Sequence, residues 1–197
     1  MIGRLRGEIA IKQPPYLLLE VNGVGYELEA PMSTFYDLPA VGESVQIYTH
    51  LQVREDAHTL YAFSNETQRS LFRALLKVNG VGAKMALAIL SGMNPEEFHR
   101  SVEEGDAKSL TRLPGVGKKT AERLIIEMRD RLKTLFGDAP AILGAPQAQA
   151  NQADEAVQAL VALGYKPAEA SKLVNAVEAE GKDSEVIIRE ALKATLK

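Results

Sequence analysis

The sequence predicts an α+β chain of more than one domain, and three observations carry that reading. Apolar residues alternate over the first third, the period turns helical at residue 64, and an aperiodic stretch at 137–153 sets off a last helical segment. Within the first third, Tyr16-Leu17-Leu18-Leu19-Glu20-Val21 and residues 24–30 flank Asn22-Gly23, a pair suited to a tight hairpin. Residues 45–53 and Thr59-Leu60-Tyr61-Ala62-Phe63 flank the polar tip Arg54-Glu55-Asp56-Ala57-His58, and residues 1–12 supply the remaining strand. About five short strands within residues 1–63 fit a small closed β-barrel of the OB-fold type better than an open sheet, because closure removes exposed edges.

From residue 64 the helical signals follow one another. Asn65 and Gln68 are spaced as a capping box before Arg69-Ser70-Leu71-Phe72-Arg73-Ala74-Leu75-Leu76. Asn94-Pro95-Glu96-Glu97 combines an N-cap, a proline at the first helical position and a glutamate at the third. Helices are expected to about residue 136. The run from Gly137 to Ala153 is small, polar and aperiodic, as in a flexible linker. Three helical patterns then follow at 154–163, 167–178 and 184–196, enough for a three-helix domain at 154–197.

Composition excludes several classes of function. The 197 residues contain no window of about 18 consecutive apolar residues and no signal-type apolar core after Met1, so a cytoplasmic protein without a membrane segment is expected. There is no cysteine, and His50, His58 and His99 lack ligand spacing, which leaves no basis for a metal site or a cofactor. The net charge of −3 hides an asymmetry: residues 1–63 carry −4, residues 64–136 carry +4 and residues 137–197 carry −3. Only the middle third is basic.

That third contains an internal repeat. Leu75-Leu76-Lys77-Val78-Asn79-Gly80-Val81-Gly82-Ala83-Lys84-Met85-Ala86 aligns, 35 residues later, with Leu110-Thr111-Arg112-Leu113-Pro114-Gly115-Val116-Gly117-Lys118-Lys119-Thr120-Ala121. Each copy reads helix, Gly-Val-Gly, lysine, helix. Glycines one residue apart allow a tight turn and a close approach to the main chain, and the free N–H groups of the following helix favour an anion. Lys84 and Lys119 occupy matching positions, and Lys118 and Arg123 add charge. A nucleotide P-loop is excluded because Arg112 stands where its first glycine belongs, and Lys119 replaces the Ser or Thr after Lys118. A dinucleotide fingerprint fails at its third glycine, where Met85 and Thr120 stand. Asn22-Gly23-Val24-Gly25 shares four letters with the first copy but lies between strand segments, and is read as a hairpin turn only. Two matched copies in the one basic segment point to backbone phosphate binding without base readout.

Paired turns of this kind look like helix-hairpin-helix DNA-binding motifs. Met1-Ile2-Gly3-Arg4-Leu5-Arg6-Gly7, Val53-Arg54-Glu55-Asp56, the block from Leu113 through Leu124, and Ala162-Leu163-Gly164-Tyr165-Lys166-Pro167 follow in that order. Together they resemble the RuvA family, the Holliday-junction-binding subunit of a branch-migration motor used in recombination and DNA repair. The resemblance implies an OB-fold at 1–63, a tandem helix-hairpin-helix domain at 64–136, a linker at 137–153 and a mobile three-helix, UBA-like domain. It implies a homotetramer, sometimes paired into octamers, that holds a four-way junction open, with a RuvC-type resolvase as a further partner. Asn79, Gly80, Gly82 and Lys84, with Gly115, Gly117, Lys118 and Lys119, carry over as phosphate binders, and Glu55 and Asp56 as an acidic pin. The terminal domain would dock a RuvB-type hexameric ATPase, so no enzymatic activity is expected in this chain itself. Leu160, Leu163, Tyr165 and Leu192 are the docking candidates, against the plainer reading that they form the domain's core.

Two other readings compete. Glu55 and Asp56 suit a solvated turn or a metal-ligating pair, but no further carboxylates at ligand spacing accompany them. Base-excision glycosylases carry a similar hairpin with a catalytic lysine, which would make Lys119, with Asp130 or Asp138, the reactive group. The second hairpin and the strand-rich first third argue against that enzyme.

Overall fold

The structure, a computed structural model of the chain, describes residues 1–136, 152–177 and 183–194. Residues 137–151 of the expected linker, and the expected helix ends at 178 and 195–196, lie outside the described residues. The chain divides into two compact units, Met1–Pro140 and Ala141–Lys197.

In the first unit, β1 (Arg4–Gln13), β2 (Tyr16–Val21), β3 (Val24–Glu29), β4 (Ser44–Val53) and β5 (His58–Phe63) close into a barrel in the order β1-β2-β3-β5-β4. All neighbours are antiparallel except β3 and β5, which meet in parallel at Glu29 and Tyr61. Closure depends on β1 serving two partners. Arg4 to Glu8 pair with β4, Glu8 to Gln13 pair with β2, and an irregularity between Ile9 and Ile11 bends the strand between them. The extra residue also reverses the facing of the chain: Ile9 is fully buried and Ile11 is 48% exposed. Asn22 (φ 52°) and Gly23 (φ 81°) form the expected tight turn, both in the left-handed region such hairpins require.

A short helix, α1 (Met32–Asp37), was not legible in the sequence. Six residues make under two turns, too few to show a period, and its entry at Pro31 has no side-chain cap. Tertiary burial forms it instead, since Thr34 and Phe35 are buried and Phe35 joins Leu38, Ile47 and Leu60 in the barrel core.

The helices α2 (Glu66–Leu75), α3 (Ala83–Gly92), α4 (Pro95–Glu103), α5 (Ala107–Leu110) and α6 (Lys118–Phe136) follow. Asn94 and Glu97 form the complete capping box, with Pro95 at the first position. The box expected at Asn65 is only half made. Asn65 accepts from the Gln68 backbone N–H at 2.9 Å, but the Gln68 side chain turns inward and accepts from the Thr34 hydroxyl at 3.1 Å, both residues buried. That bond joins α2 to α1. Tyr61 and Phe63 of β5 enter the same core as Phe72, Leu75, Phe98 and Met128, so barrel and helices share buried apolar surface. Each such fully buried side chain contributes roughly 1.5–3 kcal/mol.

The second unit holds α7 (Gln152–Ala162), α8 (Pro167–Asn175) and α9 (Ser184–Ala194), with Ala156, Leu160, Ala170, Val174, Ile187 and Ala191 as its core. The helix α7 starts at Gln152, two residues before the expected 154, so Gln152 and Ala153 belong to the domain and not to the linker. It ends as its Leu163-Gly164-Tyr165 sequence dictates. Gly164 takes φ 103°, its N–H bonds the Val161 carbonyl at 3.0 Å, and the Tyr165 N–H bonds the Leu160 carbonyl at 3.1 Å.

Candidate nucleic-acid interface

The sequence repeat is a backbone repeat. After α2, the N–H of Val78 bonds the Leu75 carbonyl at 3.0 Å, Val81 bonds Val78 at 3.1 Å, and Ala86 bonds Gly82 at 3.0 Å. After α5 the same three bonds recur as Leu113 to Leu110 at 3.2 Å, Val116 to Leu113 at 3.1 Å and Ala121 to Gly117 at 2.9 Å. Gly80 and Gly115 take φ of 82° and 81°, where a side chain would be strained. Val81 and Val116 point inward and are buried, which pins each turn to the core and leaves its glycines outside.

The second glycine of each turn has a different reason to be there. Gly82 has φ −92° and ψ 174°, an ordinary extended backbone, and a methyl group at Gly82 or Gly117 would meet nothing within 4 Å. Neither conformation nor internal packing demands glycine at these positions. What a side chain would obstruct is the approach of something from outside.

The electrostatics agree. A helix N-terminus carries partial positive charge and ordinarily attracts acidic residues, as Glu96 and Glu97 in α4 illustrate. No acid stands in the first turn of α3 or α6; the exposed residues there are Lys84, Lys118 and Lys119. A cation at that end is unfavourable by roughly 0.3–1 kcal/mol at the surface. Among the described residues no carboxylate pairs with these lysines, and no side chain caps Gly82. Free amide donors, a helix dipole and unpaired ammonium groups thus converge on two open glycine turns, an arrangement that stabilises an anion and little else.

Arg123 and Asn79 occupy a more specific place than the sequence suggests. The Arg123 Nη1 donates to the Asn79 carbonyl oxygen at 2.8 Å, and a Cβ on Gly80 would lie 3.2 Å from it. Arg123 therefore braces the first turn from the second hairpin's helix, and the Asn79 carbonyl is already occupied. Charge pattern alone could not reveal a bond between residues 44 apart.

The acidic tip lies where the strands place it. Val53 and His58 close the β4–β5 ladder, the Arg54 N–H bonds the Ala57 carbonyl at 2.8 Å, and Glu55 and Asp56 are exposed between them. The strand β4 is held to the helices by Arg69 of α2, which donates to the Thr49 carbonyl at 3.4 Å, lies 5.5 Å from the Tyr48 ring centre, and also donates to the Gly3 carbonyl ahead of β1 at 2.5 Å. Beside it the His50 ring meets Phe72 edge-on at 5.7 Å. Burial, then the charges of Arg73 and Arg69, hold the His50 imidazole below its ordinary 6.5.

In the three-helix unit the docking candidates separate. Leu160 is fully buried in the core, so its place as a surface contact is corrected: it supports the fold from inside. Tyr165 and Leu192 are half-buried against that core, whereas Leu163 is 63% exposed beside the α7 terminus. The glycosylase pairing is not assembled. Lys119 and Asp130 lie 11 residues apart on α6, about 16 Å along a helix that rises 1.5 Å per residue, and both are exposed. Asp130 approaches Lys133 at 3.8 Å, and Asp138 lies outside the described residues. Among the described residues no three acidic or histidine side chains gather as metal ligands, and no helix is long and apolar enough to cross a membrane.

Comparison with known proteins is consistent along the chain. Residues 1–62 match the family model described as RuvA N terminal domain, residues 72–130 the SAM-like helix-hairpin-helix tandem, and residues 151–195 the RuvA C-terminal domain. A protein of Thioalkalivibrio sulfidiphilus is 63% identical over the whole of both chains, and one of Nitrosococcus oceani 59%. A third, of Methylococcus capsulatus, is 55% identical over the same full span. Each of these relatives is named Holliday junction branch migration complex subunit RuvA.

Proposed function

Because the chain belongs to the RuvA family, we propose that it binds four-way DNA junctions by shape, without reading base sequence, as the DNA-binding subunit of a branch-migration complex. The observation that carries this reading is the pair of open glycine turns, each with a lysine at a helix start where an acid is the usual occupant. Phosphates fill those turns. Asn79, Gly80, Gly82 and Lys84 hold one strand, and Gly115, Gly117, Lys118 and Lys119 the other, while Arg123 keeps the two hairpins in register. A contact made by main-chain amides to phosphate is blind to sequence, and its strength falls with salt as counterions are released.

Glu55 and Asp56 act as guides. Two adjacent carboxylates repel phosphates, so at the centre of a junction they discourage a continuous duplex and favour strands that part and turn. A junction has four arms, and cyclic association of four copies, each presenting one hairpin pair, matches them; paired tetramers would enclose the DNA from both sides. The terminal unit recruits a hexameric ATPase of the RuvB type, with Leu163 as its exposed contact, and a RuvC-type resolvase acts on the same junction. The ATPase chemistry belongs to that partner. We assign 1–63 to the barrel, 64–136 to DNA binding, 137–151 to a connection between the units and 152–197 to docking.

A gel shift of the full chain on a four-way junction and on linear duplex with the same arm sequences tests this reading across a salt series. The junction is expected to bind at least tenfold tighter at each salt concentration. Equal affinity for the two would refute shape recognition, and a cleaved or base-released product from damaged duplex would revive the enzyme reading.

A further inference from the structure

The helices α2 and α6 leave between them a surface groove of about 330 Å³, lined by Ser70, Arg73 and Lys77 from one side and by Arg131, Thr134 and Leu135 from the other. These residues belong to neither glycine turn. Among the described residues none that line the groove is acidic. Ser70 and Arg73 lie three residues apart on one face of α2, and Lys77, two residues past the helix end, lines the same space. The Arg131 Nη1 atom is buried and makes no hydrogen bond among the described residues; its nearest acidic atom, Glu127 Oε2, is 3.8 Å away. The rest of the side chain is 37% exposed, so Arg131 presents its charge to the groove although this one nitrogen is turned inward.

The groove and the first glycine turn share chain neighbours: Lys77 lines the groove and the turn begins at Val78. Arg123 and Arg131 lie on one side of α6 two turns apart, about 12 Å at 1.5 Å per residue. The first of them braces Asn79. Just past the end of the facing helix, Lys77 directly precedes Val78, the first residue of that turn to point inward. Twelve ångströms correspond to three or four steps of a DNA strand at about 3.4 Å per step.

We propose that this groove is a further phosphate-binding site, in which Arg73, Lys77 and Arg131, with the Ser70 and Thr134 hydroxyls, hold the strand whose neighbouring phosphates lie on the first glycine turn. The inference rests on the DNA-binding reading above and extends its footprint from the turns to the α2–α6 seam. It assigns the basic charge of the middle third to two places on the surface and not to one.

The test compares Arg73→Gln, Lys77→Gln and Arg131→Gln in the full chain with Arg129→Gln, an exposed cation of α6 outside the groove, and with Lys84→Ala in the first turn. Affinity for a four-way junction is measured from 50 to 200 mM salt. Each groove variant is expected to flatten the slope of log affinity against log salt by about 0.9 per copy of the chain, about 3.6 for four copies on one junction, which shrinks the fall over that range about 150-fold. Arg129→Gln should leave the slope unchanged, and Arg131→Lys, which keeps the charge, should restore it. If the groove variants behave as Arg129→Gln while Lys84→Ala flattens the slope, the groove proposal is overturned and the turn reading stands. If Lys84→Ala is silent as well, it is the turn reading that fails. A groove variant that lowers the mass measured by light scattering would make the groove a contact between copies of this chain, which also overturns the proposal.

Discussion

Gly80 and Gly82 are separated by one residue and answer to different constraints. At Gly80 the backbone takes φ 82°, so alanine there is strained by about 1–2 kcal/mol, and its methyl also approaches Arg123 Nη1 at 3.2 Å. Gly80→Ala should therefore lower the chain's stability in urea by about that amount, with the loss visible in the absence of DNA. An unchanged urea midpoint would show that the turn is not held in the left-handed conformation. At Gly82 no such strain exists, and a larger residue there leaves the fold intact while closing the approach to the main chain. The sequence alone shows two glycines in one motif; only the backbone angles and the empty space beside Gly82 and Gly117 separate the one that shapes the turn from the one that leaves the main chain open.

At the scale of elements, the joint between the barrel and α2 depends on a few polar groups placed among apolar ones: the Thr34–Gln68 bond, the Arg69 bond to Gly3, and His50 against Phe72. His50 sits in this joint with its pKa lowered by burial first, then by Arg73 and Arg69. As pH falls, the unfolded chain takes up the proton before the folded chain does. The contribution of His50 is therefore complete above about 6.5 and declines as pH drops below it, until the folded imidazole titrates too. Between pH 7.5 and 5.5 the unaltered chain should lose more stability in urea than His50→Gln does; parallel losses would remove His50 from the account. Elements with strong local signals were legible: Asn22-Gly23, the Asn94–Glu97 box with Pro95, and the repeat itself. Those made by distant partners were not. The helix α1 forms because Phe35 fills the barrel, and Gln68 leaves its expected cap because Thr34 offers a buried partner. The sequence left Leu160 open between core and docking contact for a related reason. A leucine in a domain of this size reads equally well as core or as contact, and only burial against Ala156, Ala170 and Val174 decides.

For the molecule as a whole, charge is divided as the functions are. The acidic first third carries the exposed Glu55–Asp56 tip, the basic middle third carries the turns, and the acidic last third holds the unit with the exposed Leu163. Cutting the chain at Ala145 should leave residues 1–145 with full junction binding and an unaltered number of subunits. ATP-driven branch migration by the added partner ATPase should fall at least tenfold. Full stimulation by the truncated chain would disprove docking through the terminal unit. The most direct measurement of the central claim is a junction titration with the full chain carrying both Gly82→Leu and Gly117→Leu, set beside the unaltered chain. Since those positions face open space, the account predicts a thermal midpoint within a few degrees of the unaltered chain and an affinity reduced at least 100-fold, about 2.7 kcal/mol. Undiminished affinity in a folded double variant would contradict it, because phosphate would then be held somewhere other than the two glycine turns.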